Sequence, residues 1–255
     1  MITKRYHTNN RPLVIECKFR VNKPTKIRLI ALNEEKKGAV YLDRWKTIKN
    51  NEILDVRLPH SSKNITLKVI PLQSNNNGLQ LSNVRFKKLN QHYKCYGVNY
   101  KTKEFLQFAK EFSDNLPLLK PGTYYSDKKR YRIDLFDVIK DKATGKILTT
   151  PARISNSNGR IEVAKKYFNK FTIPMRLSIL CHEYSHFYLN KNQKDEIEAD
   201  QNGLKLYLGM GYPYIEAHKS FLHTFMKNTS KENKVRYEHI KKFADNFEKL
   251  KYKIC

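Results

Sequence analysis

The segment His182-Glu183-Tyr184-Ser185-His186 constrains the fold of this chain more than any other. Residues four apart lie on one face of an α-helix, so the segment predicts a helix that directs His182 and His186 toward one metal ion. Glu183 is close enough to reach a water molecule held by that metal. Two nitrogen ligands, an open coordination position and a neighbouring carboxylate are the arrangement of a zinc hydrolase site.

The flanking residues predict that this helix is buried. Pro174 suits a first helical turn, where its missing N–H leaves no hydrogen bond unmade. Between Arg176 and the motif the residues are uncharged, and an apolar run at 187–189 follows it. The polar segment 190–192 then indicates the end of the helix. A central buried helix shields a metal site from bulk water.

A second motif, ExxAD, occupies residues 196–200. Glu196 and Asp200 are four apart and share a helical face. Glu196 can complete a His-His-Glu metal set, and Asp200 can accept the spare N–H of a ligand histidine. Ala199 and Gly203 are small, which predicts a close approach to the first helix. Taken alone, these carboxylates also fit an acidic helix N-terminus that is stabilised by the helix dipole.

HExxH followed by ExxAD resembles the gluzincin metallopeptidases, notably the clan of the CAAX-processing and heat-shock membrane peptidases and the antirepressor-cleaving peptidases of mobile elements. The resemblance covers roughly residues 100–250. It implies a zinc metalloendopeptidase that hydrolyses peptide bonds in a peptide or protein substrate with a metal-activated water. By this likeness Zn²⁺ is bound by His182, His186 and Glu196. Glu183 would be the general base and Asp200 a supporting residue.

Two departures bear on the site. The linker from His186 to Glu196 is shorter than is usual in those families, which leaves Glu198 or Asp200 open as the third ligand. A metzincin assignment fails because Leu189 and Asn192 stand where that pattern needs Gly and His.

The patterning predicts an α+β chain with an N-terminal antiparallel β-sandwich at 1–95, used for assembly or binding, and a zincin-like metallopeptidase domain at 96–255. Apolar residues alternate with polar ones through residues 11–89, which indicates six or seven short strands. The clearest alternations are Ile15–Val21, Ile27–Ala31, Leu54–Leu58 and Ile65–Val69.

In the second domain the sequence predicts a helix, then a sheet, and then the helix of the HExxH motif. Helical spacing begins after Thr102, and strands are expected at Tyr131–Phe136, Thr149–Ser155 and Arg160–Ala164. The strand at Arg160–Val163 is either an edge that pairs with extended substrate or an interior strand.

Two further helices are expected, one from Pro213 to about Met226 and one capped by Ser230. Four residues on them are candidate donors to a tetrahedral oxyanion, and none is assigned that role: His218, His223, Tyr237 and His239.

The formal charge is +26 over 255 residues, with 50 Lys and Arg against 24 Asp and Glu. Residues 1–100 hold 20 of these cations and six of the carboxylates, so the charge is spread and is not confined to a tail. Such a surface attracts a polyanion or an acidic protein partner. A solubilising charge with no partner is the alternative, and no known nucleic-acid motif is visible.

Four scattered cysteines without a CxxC motif predict a reducing compartment, with Cys17 and Cys181 as buried thiols. No signal peptide or transmembrane segment is recognisable, so no membrane insertion is expected and the location is cytoplasmic or virion-associated. A basic chain with a β-sandwich before a zincin domain also suits a structural component of a tailed-phage particle. In that alternative the zincin fold has little or no protease activity.

Overall fold

The computed structural model describes residues 1–72, 78–89, 91, 98–225 and 230–250. The chain divides into two compact units, Met1–Gln91 and His92–Cys255. The boundary predicted between residues 95 and 96 lies outside the described residues, as do Cys95, Cys255 and the predicted helix end at Met226. Helices and mainly antiparallel sheets are both present, which confirms the α+β class.

The first unit consists of antiparallel strands in its described part. In chain order they are β1 (Ile2–His7), β2 (Leu13–Arg20), β3 (Thr25–Asn33), β4 (Val40–Ile48), β5 (Asn51–Leu58), β6 (Asn64–Pro71) and β7 (Gln80–Lys88). One sheet has the order β1-β6-β3-β4 and the other the order β5-β2-β7. Every strand pair in the two sheets is antiparallel.

Burial in this unit follows the alternation read from the sequence. In β2 and β3 the residues Ile15, Cys17, Ile27 and Leu29 are fully buried, whereas most of their neighbours are partly exposed. Burial raises the pKa of the Cys17 thiol to about 12, which confirms the predicted buried thiol. Strand β1 was not predicted, because its side chains are largely exposed and carry no apolar alternation.

The second unit contains all the helices of the described chain. Its elements are α1 (Tyr100–Asn115), β8 (Gly122–Tyr125), β9 (Arg132–Phe136), β10 (Ala152–Ile154), β11 (Ile161–Ala164), α2 (Lys165–Phe168), α3 (Ile173–Tyr188), α4 (Glu196–Gly209), α5 (Tyr214–Phe225) and α6 (Lys231–Leu250). Ser230 accepts a hydrogen bond from the N–H of Asn233 at 3.1 Å, so the predicted cap of α6 is confirmed. Within the described residues no helix combines the length and the apolar character needed to cross a bilayer.

The sheet of this unit has the order β10-β11-β9-β8. Strand β11 runs parallel to β9 and antiparallel to β10, so the Arg160–Val163 segment is interior and β10 is an edge strand. Strand β8 was missed at the sequence level, because its four residues are mostly exposed and carry no alternation.

Helix α3 forms the core of the second unit and is buried over most of its length, as its sequence predicted. Arg176 on this helix is only 1% exposed. Its guanidinium donates hydrogen bonds to the carbonyls of Ser113 (2.8 Å), Phe168 (3.2 Å) and Asn169 (3.3 Å). Because these carbonyls lie at the C-terminal ends of α1 and α2, one side chain ties both helix ends to α3.

Candidate metal centre

Helices α3 and α4 approach each other closely at Gly203. A Cβ atom added there would lie 2.8 Å from both the Cα and the backbone nitrogen of His182. The small residues Ala199 and Gly203 are both buried, which confirms the predicted close approach of the second motif to the first.

Replacing Gly203 with alanine is therefore expected to destabilise the protein, although alanine is normally the better helix former. The added methyl group would meet backbone atoms that cannot rotate away, so a loss of about 1–3 kcal/mol is expected. Urea unfolding of the metal-free protein measures it. Lys205→Ala, at an exposed position of the same helix, is the control and should change stability by less than about 0.5 kcal/mol. A stabilised Gly203→Ala variant would contradict the packing described above.

Three side chains from these helices converge. The ligand atoms of His182, His186 and Glu196 all lie within 4.8 Å of one another. The two Nε2 atoms are 3.1 Å apart. Glu196 places its carboxylate oxygens 3.5 Å from the Nε2 of His182 and 3.6 Å from that of His186. The structure thus brings together the three residues that the motifs singled out.

Neighbouring acceptors set the orientation of both rings. The Nδ1 of His186 lies 2.8 Å from the carbonyl oxygen of Gln193, and the Nδ1 of His182 lies 2.8 Å from Oδ1 of Asp200. A carbonyl or a carboxylate only accepts, so each Nδ1 carries a hydrogen, and in the neutral ring each Nε2 is left to bind a metal. The 3.1 Å approach of the two Nε2 atoms is favourable when one positive charge lies between them, either a proton on His182 or a metal ion that replaces it.

The electrostatics of the group favour such a cation. Burial of the His182 ring disfavours its charged form, but the carboxylates of Asp200 and Glu196 outweigh burial and raise its pKa to about 10. Burial likewise disfavours the charge on Glu196, yet His182, Arg236 and His186 lower the pKa of that carboxyl to about 2. The site therefore attracts positive charge and keeps its carboxylate ligand ionised at neutral pH.

Glu198 is placed elsewhere. Its carboxylate accepts hydrogen bonds from the backbone N–H groups of Lys191 (3.1 Å) and Asn192 (3.4 Å). Asp195 caps the start of α4 by accepting from the N–H of Glu198 at 2.9 Å. These bonds close the short linker between α3 and α4. The carboxylate left open as an alternative third ligand thus stabilises the turn, while Glu196 faces the histidines.

Asp200 does not join the group of ligand atoms, and its Oδ1 lies at the Nδ1 side of the His182 ring, away from the ligand atoms. It also pairs with Arg236 of α6, which was not identified from the sequence. The guanidinium contacts Asp200 through Nε (2.8 Å) and Nη2 (3.0 Å), and Nη2 lies 2.9 Å from Oε2 of Glu196. One arginine therefore holds both carboxylates of the second motif in place.

The group opens into a cavity of about 450 Å³, which is within the usual size range of small-molecule and peptide sites. Its wall includes the edge strand β10, the α5 residues Ser220 and Phe221, and Glu183. The Glu183 carboxylate accepts a hydrogen bond from the backbone N–H of Ile154 in β10, and burial raises its pKa. A carboxylate with a raised pKa beside the candidate metal ligands is suited to accept a proton.

The four residues considered as oxyanion donors do not line this cavity. His218 makes a 2.8 Å hydrogen bond with Tyr237 between α5 and α6, and the ring of His223 packs on Phe171. His239 is exposed. These residues contribute to packing or to the surface, and the cavity instead contains Arg236.

No family model, no curated protein and no solved structure matches this chain.

Proposed function

We propose that this protein is a zinc-dependent metallopeptidase whose centre is His182, His186 and Glu196, with Glu183 as the general base. The observation that carries the proposal is the convergence of two imidazole Nε2 atoms, 3.1 Å apart, and one carboxylate at the wall of a cavity. A structural metal site needs ligands only. Here a further carboxylate, Glu183, lines the cavity next to them.

The distances fit zinc. In a tetrahedral site with bond lengths of about 2.0–2.2 Å, ligand atoms lie roughly 3.3–3.5 Å apart. The three separations in the structure, 3.1, 3.5 and 3.6 Å, are close to those values. Nitrogen, nitrogen and carboxylate oxygen are also a ligand set of catalytic zinc sites. When bound there, zinc would lower the pKa of a coordinated water and polarise a carbonyl.

Each surrounding residue has a defined task in this proposal. Glu183 accepts a proton from the attacking water at its carboxylate, and the Ile154 N–H keeps that carboxylate directed into the cavity. Asp200 and the Gln193 carbonyl hold the two rings in the tautomer that leaves Nε2 unprotonated. Such supporting contacts change metal affinity or activity by about 10- to 100-fold in other zinc proteins.

The edge strand β10 suggests how a substrate lies. Strand β10 pairs with β11 on one side only, and Ala152, Arg153 and Ile154 line the cavity. An extended peptide can add to such an edge through main-chain hydrogen bonds. The substrate class that fits is thus an extended segment of a polypeptide, and not a folded surface.

Glu183→Gln tests the proposal directly. The substitution keeps the shape and a hydrogen-bonding group but removes the base. The rate of peptide hydrolysis should therefore fall by about 10²- to 10⁴-fold with zinc content unchanged. Since the substrate is unknown, a mixture of unfolded proteins serves as substrate, and mass spectrometry counts the new N-termini that zinc-loaded protein generates.

Glu198→Gln is the matched control, because that carboxylate lies near the site but outside the cavity, and cleavage should persist. Equal cleavage by wild type and Glu183→Gln would contradict the proposal. Zinc-loaded wild type that cleaves nothing would favour the alternative, a structural or assembly protein on this scaffold.

A further inference from the structure

The turn between β8 and β9 carries three consecutive exposed cations, Lys128, Lys129 and Arg130, against one carboxylate, Asp127. The N–H of Lys129 donates to the carbonyl of Ser126 at 2.7 Å and closes the turn. On the α1 side the turn is anchored through Glu104, which accepts from the Ser126 hydroxyl (2.9 Å) and from Nη1 of Arg130 (2.6 Å). The cations are therefore presented on a rigid support.

Two exposed tyrosines lie beside this turn, and each is covered by an arginine. Tyr100, at the start of α1, is 65% exposed, and Cζ of Arg130 lies 5.5 Å from the centre of its ring. Tyr125, at the end of β8, is 50% exposed, and Cζ of Arg132 lies 6.0 Å from its ring. These cation–π contacts stabilise both rings at the surface.

Both Tyr–Arg pairs flank this turn. Arg130 belongs to the turn itself and reaches α1 through Glu104, whereas Arg132 is the first residue of β9. Tyr125 is the cross-strand partner of Arg132 in the β8–β9 register and lies on the same side of the sheet. We call the set Tyr100, Tyr125, Lys128, Lys129, Arg130 and Arg132 the tyrosine–arginine face.

Lys129 adds an independent observation. Its φ of +54° lies in the left-handed region, which a residue with a Cβ atom adopts at a cost. The other non-glycine residues with positive φ in the described chain, Asn9, Asn10 and Asn50, are of the type that tolerates this region. Glycine or asparagine would suit position 129 better, so a lysine there indicates a use for its side chain.

Farther along the sheet the arginines pair with carboxylates of the same or a neighbouring strand. Arg132 and Arg160 pair with Asp134, while Arg160 and Arg153 pair with Glu162. Lys128 and Lys129 of the turn are by contrast fully at the surface, next to the two rings. Of these three arginines, Arg153 alone lines the cavity of the candidate metal centre.

We propose that the tyrosine–arginine face binds single-stranded nucleic acid, with bases stacked on Tyr100 and Tyr125 and phosphates held by Lys128 and Lys129. Exposed rings flanked by cations provide both elements of sequence-tolerant single-strand binding. A duplex keeps its bases stacked inside and cannot use the rings, and an acidic peptide has no flat base to place on them. The face lies outside the cavity, and this binding does not depend on peptidase activity.

The test measures binding of a fluorescent single-stranded oligothymidine to the full-length protein near physiological salt. Tyr100→Ala and Tyr125→Ala should each weaken binding by about tenfold, and Tyr→Phe at either position should retain it, because stacking needs only the ring. Trp45→Ala is the matched control. Its ring is likewise exposed and covered by a cation, Lys26, but lies in the first unit, and binding should be unchanged.

Lys129→Gly separates binding from stability. Glycine relieves the left-handed backbone, so the thermal midpoint should stay equal or rise. Binding should nevertheless weaken, and the slope of log K against log salt should shrink by about 0.7, the value for one phosphate contact on a single strand. Three results would each overturn the proposal: no binding by wild type, equal binding by the Tyr→Ala variants, or equal competition by duplex DNA or polyglutamate.

Discussion

Zinc binding is expected to be lost when His186 is replaced by alanine. Wild-type protein prepared without chelators should carry about one equivalent of zinc, held by two imidazole nitrogens and one carboxylate. Removing one ligand from a site of this kind should weaken binding by at least about 100-fold, since structural zinc sites bind with about 10–16 kcal/mol shared among four ligands. Metal analysis after dialysis and titration with a chelator measure the affinity.

The carboxylates of the second motif provide graded controls for this measurement. Glu196→Ala should weaken binding as strongly as His186→Ala, and Asp200→Asn by about 10- to 100-fold through loss of the ring contact. Glu198→Ala should leave the affinity almost unchanged, because its carboxylate binds the 191–192 backbone. Full zinc retention in His186→Ala, or its absence from gently prepared wild type, would refute the metal centre. A strong loss of zinc affinity in Glu198→Ala would show that the wrong face of α4 has been assigned to the site.

Strong destabilisation of the second unit is expected when Arg176 is replaced by methionine. Burial of its guanidinium lowers the pKa of Arg176 to about 10, but the group remains charged at neutral pH. Methionine fills much of the volume yet leaves the carbonyls of Ser113, Phe168 and Asn169 without this donor. The Phe168 carbonyl still accepts from the N–H of Phe171, but each buried carbonyl left without a donor costs about 1–3 kcal/mol, so a total of about 3–5 kcal/mol is expected.

That loss is a large part of the 5–15 kcal/mol that stabilises a typical domain. Urea unfolding followed by far-UV circular dichroism reports it, because the described helices all lie in the second unit. Arg132→Met is the control: its side chain is 42% exposed and pairs with Asp134 at the surface, so a change of less than about 1 kcal/mol is expected. Equal effects of the two substitutions would show that the Arg176 side chain does not hold the ends of α1 and α2 against α3.

The elements that were predicted from the sequence are those in which burial produces a local pattern of apolar residues. Strands β2, β3, β5 and β6 carry apolar residues at every second position, and the helix of the first motif carries an uninterrupted uncharged run. Strands β1 and β8 and the short helix α2 were missed. Their side chains are mostly exposed or too few to form a pattern. Strands β1 and β8 are extended because they pair with β6 and β9.

The candidate site divides in the same way. His182 and His186 share one helical face, as do Glu196 and Asp200, because a helix repeats every 3.6 residues. Close packing at Gly203 also followed from residue size alone. These features depend on residues within one turn of each other, so the sequence by itself determined them.

The supporting contacts depend on tertiary structure. Arg236 meets Asp200 and Glu196 from a helix 36 residues farther along, and nothing distinguishes it locally among the 50 Lys and Arg residues of the chain. The Ile154 N–H reaches Glu183 only because β10 is the edge of its sheet. Sheet order and helix packing are set by the combined burial of distant segments. The candidate ligand residues and Asp200 could therefore be found from the sequence, whereas the contacts that hold Glu183, Glu196 and Asp200 in place could be found only in the folded chain.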